Sequence, residues 1–229
     1  MQLDVDDADH ARFARLLSAE EQQRAASFRF DRDRRRYVAR HGRLRELLGG
    51  RLGCAPQEVA LQRDDFGKPF IASSALRFNL SHAGGLALCV IAAGLEIGCD
   101  IEWRHPGLAS PEVACQFFAP LEVEMLASVP AEAWAEAFFN CWTRKEAFVK
   151  GCGRGLSCGL ADFDVSLRPG EPAAFLRGAE GWSLAAFEPL PGLHLAVAAS
   201  SPSSAAWRLV IPRRPNSASN RLGLFTRNP

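Results

Sequence analysis

LEIGCDIEW, residues 95–103, sets Ile97, Cys99, Ile101 and Trp103 in alternation with Gly98, Asp100 and Glu102. A period of two is that of a strand with one buried face. Asp100 and Glu102 then share the other face, ~7 Å apart. Carboxylates so placed repel each other, so either water solvates both or a cation lies between them. The pattern is compatible with a plain solvated strand face and with an all-oxygen site that suits Mg²⁺ or Mn²⁺ rather than zinc.

Outward from this strand the chain divides into two stretches of similar plan. Upstream, Ser18 and Glu21 have capping-box spacing and predict a helix from Ser18. A second helix is predicted from about Asp31, ending at Gly49-Gly50. The short segments EVALQ, PFIA, LRFNL and LALCVIAA follow, with turns at Asp65-Phe66-Gly67 and Ala83-Gly84-Gly85. Downstream of His105-Pro106-Gly107 come the helical segments PEVACQFFA, PLEVEMLASV and AEAWAEAFFNCWTRKEAFVK. Strands are predicted near FDVSL, AAFLRG, WSLAAFE, LHLAVAA and AWRLVIP. The expectation is an α+β fold of two halves, residues 1–105 and 106–212, with a flexible tail at 213–229.

Composition narrows the class. The 229 residues are 48% hydrophobic, enough for a full core, and 27 Lys plus Arg against 26 Asp plus Glu leave a net charge of +1. That balance argues against a surface built for nucleic acid, so any anion site is local. Seven cysteines, with no CxxC pair, read as reduced thiols of a cytoplasmic protein. The acidic start MQLDVDDADH is not a secretion signal, and the longest apolar run, residues 86–95, is too short to span a bilayer.

Several residues carry possible chemistry. Glu146 and Lys150 stand at i, i+4 on the long helix, followed by Gly151, Gly153 and Gly155, where backbone can approach a ligand. The same spacing is a common stabilising surface pair. Ser81 and His82 end a strand beside Gly84-Gly85; they read equally as an anion contact or as a turn serine with a surface histidine. No Ser-His-Asp triad is visible, and His10, His41, His105 and His194 show no metal spacing. Arg36, Arg40 and Arg43 recur at helical spacing and would line one face, for RNA, a phosphorylated ligand or solvation; Tyr37 is the only close aromatic residue.

Together, FGKP (66–69), FNLSH (78–82), GCDIE (98–102), FFAPLE (117–122) and WTRKEAFVKGCGRGLS (142–157) resemble the Sfp-type 4′-phosphopantetheinyl transferases in order and spacing, over about residues 15–200. The resemblance implies transfer of the 4′-phosphopantetheine arm of coenzyme A to a serine of an apo acyl or peptidyl carrier protein, as a holo-[acyl-carrier-protein] synthase does. It implies Mg²⁺, with Mn²⁺ possible, on Asp100, Glu102 and Glu146, and Lys150 on the phosphates. Ser81 and His82 would hold the coenzyme's phosphates, while Arg36, Lys68 and Pro69 would flank its nucleotide end. Glu122 would lie near the metal and share with Glu146 the candidacy for general base. Two subdomains related by a pseudo-twofold, a coenzyme cleft between them and a monomer are also implied. Two departures stand out: Glu21 where some members have a 3′-phosphate lysine, and Arg154 where a lysine is common. A non-catalytic coenzyme or carrier binder, an RNA-binding protein and a hydrolase of the coenzyme's diphosphate are the rival readings.

Overall fold

The computed structural model describes residues 1–155 and 158–200. The predicted strand AWRLVIP, the tail at 213–229 and Leu156-Ser157 of the glycine segment lie outside the described residues.

The chain opens with helix α1 (Asp7–Ala14), absent from the sequence reading, whose N-cap Asp6 accepts a hydrogen bond from the Asp9 amide. Helix α2 (Ala19–Ala26) begins at Ser18 with both halves of the capping box formed, as predicted. Helix α3 (Asp31–Leu52) passes through Gly49-Gly50 and ends at Gly53, whose φ of 70° is the left-handed cap a glycine supplies without strain. Gly49 lies buried within the helix, so packing overrides its weak propensity.

Tertiary charge pairing holds α2 on α3. Glu21 accepts from Arg45 Nε at 2.6 Å and pairs with His41 Nδ1 at 3.2 Å. The Arg45 guanidinium, 3% exposed, also donates to the Pro56 and Val59 carbonyls, so no donor-rich face is left dry. Burial works to raise the Glu21 pKa, but the bonds from His41, Arg45 and the Ser18 amide outweigh it and bring the pKa down to about 2.

Two short strands, β1 (Gln62–Arg63) and β2 (Pro69–Phe70), frame the FGK turn. The hairpin β3 (Leu76–Ala83) and β4 (Leu86–Ala93) follows, then β5 (Ile97–Trp103). Beyond helices α4 (Pro111–Phe117), α5 (Pro120–Ala127) and α6 (Ala131–Cys152) come β6 (Asp164–Val165), β7 (Phe175–Arg177), β8 (Ser183–Leu190) and β9 (Leu193–Ala199). The architecture is α+β with small antiparallel sheets.

Strand β5 is the joint of the molecule. It lies in an antiparallel sheet of order β5-β9-β8, with Asp100 opposite Ala196 and Glu102 opposite His194. Thus a strand from the first stretch is hydrogen-bonded to one from the second. On its other side the Asn79 side chain of β3 accepts from the Cys99 amide at 2.9 Å. Helix α6 packs across β5 and β9, and its Phe138, Phe139 and Phe148 sit in the main core with Phe118 and Phe163. Each such buried aromatic contributes about 1.5–3 kcal/mol by removal from water. No described helix is long and apolar enough to cross a membrane.

Because the folded Glu21 pKa lies below its unfolded value, its stabilisation is complete above the ordinary glutamate range and is lost as pH falls toward about 2. Glu21→Gln is expected to lower stability at neutral pH by roughly 3–5 kcal/mol, since it leaves Arg45 buried without its counter-charge. Urea melts from pH 7 down to pH 3 check this: the gap between wild type and variant should narrow as the acid is protonated.

Candidate active site

The alternation of β5 puts Asp100 toward α6, and the approach of the two elements is extreme at Gly98. A Cβ there would lie 2.1 Å from the Ala147 carbonyl oxygen and 2.2 Å from the Gly151 nitrogen, so only glycine fits. This closeness brings the last turn of α6, with Glu146 and Lys150, over Asp100.

Asp100 is 1% exposed. Its Oδ1 accepts from Ser81 Oγ at 2.8 Å and from Lys150 Nζ at 2.5 Å, and Lys150 also lies 3.2 Å from Ser81 Oγ. Asp100 Oδ2 is buried with no partner among the described residues, an open acceptor in a place where such atoms are costly. Glu146 Oε2 stands 3.9 Å from Lys150 Nζ. Burial and then the Asp100 charge push the Glu102 pKa up to about 7, and burial raises that of Glu146. Burial works against the Lys150 ammonium, yet Asp100 and then Glu146 outweigh it and hold its pKa above the ordinary lysine value. Asp100, Glu102, Glu146 and Lys150 are therefore one electrostatic unit, with Ser81 bonded to it. Among the described residues no three His, Cys, Asp or Glu side chains close around one point tightly enough to hold an ion. The cation on Asp100 is Lys150.

This unit closes one end of a groove of about 1360 Å³ that runs between α2, α3 and the β3 strand. Its walls include Arg24, Arg40, Arg63, His82 and Lys150, so the groove is cationic although the whole chain is nearly neutral. Arg40 Nε is buried and has no partner, and burial lowers the Arg40 pKa. Desolvation first, and then the charges of Arg40 and Lys150, push the His82 pKa down to about 4, so its imidazole is neutral at pH 7. A concave, partly dry surface with unpaired guanidinium donors is suited to a phosphorylated ligand.

Ser81, His82, Pro69 and Lys150 line this groove. Three expected residues do not. Arg36 is held outside it by Asp4, which accepts from Nε at 2.6 Å and Nη2 at 2.8 Å. Nor do Arg36, Arg40 and Arg43 act as one face: Arg43 stacks over the Phe13 ring at 5.1 Å, and only Arg40 fronts the groove. Lys68 Nζ turns to the Gly151 carbonyl at 2.6 Å and Glu96 at 3.2 Å, leaving Pro69 alone of that pair on the groove.

Glu122 requires the plainest correction. It is fully buried against the fully buried Lys145 at 2.8 Å, and its two oxygens accept from the Ala119 and Val165 amides. It caps α5 and ties that helix to β6; burial raises its pKa above the ordinary value despite Lys145. With both oxygens committed inside the core, it is neither a metal ligand nor a proton acceptor for a substrate. Conversely His41 and Arg63, which the sequence reading left out of the site, face the groove. Tertiary packing places them there, His41 from α3 and Arg63 from β1.

The comparisons with known proteins agree with this geometry. The family model described as the N-terminal part of 4′-phosphopantetheinyl transferase matches residues 5–96, and that of the 4′-phosphopantetheinyl transferase superfamily matches residues 96–198. The chain belongs to the 4′-phosphopantetheinyl transferase superfamily and is of the Sfp type. It is 40% identical over 200 residues to the 4′-phosphopantetheinyl transferase HetI of Nostoc sp., covering 86% of this chain and 84% of that protein. It is 27% identical to the 4′-phosphopantetheinyl transferase Sfp of Bacillus subtilis, covering 85% of this chain and 87% of Sfp. Identity is 32% to the mouse L-aminoadipate-semialdehyde dehydrogenase-phosphopantetheinyl transferase, over 66% of this chain and 54% of that one.

Gly98→Ala should destabilise the protein by at least about 1–3 kcal/mol, because the added methyl meets backbone rather than a movable side chain. Thermal unfolding followed by circular dichroism measures it; an unchanged midpoint would show that β5 and α6 are not in this contact.

Proposed function

We propose that this chain transfers the 4′-phosphopantetheine arm of coenzyme A to a serine of an apo acyl or peptidyl carrier protein, releasing adenosine 3′,5′-bisphosphate. The observation that carries it is the meeting of Lys150, Ser81 and the half-paired Asp100 at the end of a cationic groove.

Coenzyme A lies in the groove with its phosphates against Arg40, His82 and Lys150. Ser81 and Lys150 orient the diphosphate, and Lys150 offsets the charge that develops on the departing nucleotide. Asp100, Glu102 and Glu146, which do not close around one point here, would have to draw together to hold Mg²⁺. The unpartnered Asp100 Oδ2 and the raised pKa values of Glu102 and Glu146 fit a hard divalent cation that relieves their mutual repulsion. Such an ion, Mg²⁺ or Mn²⁺, supplies charge neutralisation at the diphosphate.

The carrier serine Oγ attacks the β-phosphorus, and the bond from that phosphorus to the bridging oxygen breaks. The nucleotide leaves with that oxygen. The serine proton passes to the Glu146 carboxylate, directly or through water. Glu146 is half-buried, and its nearest cation, Lys150, stands 3.9 Å away and is bonded to Asp100, so Glu146 retains an acceptor oxygen. The chain acts as a cytoplasmic monomer, a placement consistent with its seven free cysteines.

Mass spectrometry of an apo carrier protein incubated with the chain, coenzyme A and Mg²⁺ tests the reading. The carrier should gain the phosphopantetheine arm, and chelation of the metal should stop the gain. Release of free phosphopantetheine with an unmodified carrier would instead establish a hydrolase. Asp100→Asn is expected to cut transfer by about 100-fold or more, the scale of a lost charge in a dry phosphoryl site. Glu122→Gln should lower thermal stability while the rate per folded molecule stays unchanged.

A further inference from the structure

Lys68 is placed by a tight turn. Asp64 Oδ1 accepts from the Phe66 and Lys68 amides at 3.0 and 2.8 Å, and the Asp64 amide donates to the Lys68 carbonyl at 3.0 Å. The side chain, 13% exposed, crosses from this turn to the far side of the β5–α6 contact. There its ammonium has two acceptors. One is the Gly151 carbonyl, at 2.6 Å, in the last turn of α6. The other is Glu96, which directly precedes β5 and also accepts from Arg77 Nε at 2.8 Å.

The final carbonyls of a helix have no partner within it, and a cation there satisfies one of them and complements the negative end of the helix dipole. Lys68 does both. Its two acceptors adjoin the residues that matter: Gly151 follows Lys150, and Glu96 lies four positions before Asp100. The Lys150 to Asp100 bond spans those same two elements. One ammonium from a third element therefore fixes the distance across which the site is built.

We propose that Lys68 is a positioning residue for the transfer reaction, clamping the C-terminal turn of α6 to the start of β5 so that Lys150 is held in register with Asp100 and the coenzyme's phosphates. This rests on the transferase reading above. Lys68 does not touch the nucleotide.

The full chain carrying Lys68→Met, Lys68→Arg or Glu96→Gln tests it, with kinetics at saturating carrier protein and amide hydrogen exchange over residues 149–153. Lys68→Met should lower kcat about 10- to 100-fold, the cost of a small misplacement of a catalytic group. KM for coenzyme A should stay near the wild-type value, and exchange at Gly151 and Gly153 should speed up. Lys68→Arg should recover most of kcat, because a guanidinium reaches both acceptors. Glu96→Gln, which keeps the bond to Gly151, should give a smaller loss of the same kind, and it carries the test if Lys68→Met does not fold. A rise in KM with kcat unchanged would make Lys68 a ligand contact and overturn the proposal, as would wild-type exchange rates in Lys68→Met. Failure of the wild type to modify any carrier would sink the transferase reading instead, while the exchange data would still decide the clamp.

Discussion

A buried carboxylate must find donors within the fold, and Asp100, midway along the edge strand β5, is that carboxylate. Desolvating an unpaired anion costs several kcal/mol even after relaxation. The fold answers with one hydroxyl from β3 and one ammonium from α6, both on Oδ1. Strands β3 and β5 and helix α6, already packed together, are thereby tied at a single oxygen. The pairing is incomplete, because Oδ2 has no donor. A structural ion pair would be expected to satisfy both oxygens, as Glu122 does through the Ala119 and Val165 amides and Lys145. The unfilled acceptor lies in a neighbourhood already crowded with carboxylates, where an added positive charge would be favourable.

The same local imbalance explains the groove. The chain carries a net charge of only +1, and several arginines of α1 and the first turns of α3 are matched: Arg34 by Asp31, Arg35 by Asp7, Arg36 by Asp4, Arg12 by Asp9 and Glu46. Arg40 has no such partner and sits where burial penalises its charge. Holding a guanidinium dry and unpaired is unfavourable in the free protein, and an arriving phosphate removes that penalty while gaining a charge-assisted bond. His82, kept neutral by the same surroundings, becomes more basic when an anion neutralises its neighbours. The anion site is thus made by withholding acids from one segment of an otherwise balanced helix.

These relations were legible in the sequence where the chemistry is local. The alternation at 95–103 fixed which side of β5 carries Asp100, and the Ser18–Glu21 spacing gave the start of α2. Helix α1 was not legible: over eight residues it buries only Phe13, too little for a periodic signal. Strands β1 and β2 are two residues each and exist only as the rims of a turn. Among site residues, Ser81, Asp100 and Lys150 stand on strands and a helix whose periodicity sets which way each side chain points. Arg36 and Lys68 were misassigned for the opposite reason. Their long side chains choose partners by tertiary proximity, and Asp4 and the Gly151 carbonyl are 32 and 83 residues away in sequence.

Glu122 and Glu146 show how environment separates two residues that a motif treats alike. A general base must accept a proton and later release it without stranding other groups. At Glu122 the Ala119 and Val165 amides and the Lys145 ammonium all depend on the ionised carboxylate, so protonation there would leave buried donors facing an O–H. Lys145 is itself fixed by the Leu160 and Phe163 carbonyls, and no rearrangement can free it cheaply. Glu146 has no such dependants. Its nearest charged neighbour, Lys150, already has Asp100 and Ser81, so a proton on Glu146 weakens a 3.9 Å attraction while relieving repulsion with Asp100 and Glu102. Of the two acids, only Glu146 can take a proton without stranding buried donors, and the buried one serves to hold α5 and α6 in the core.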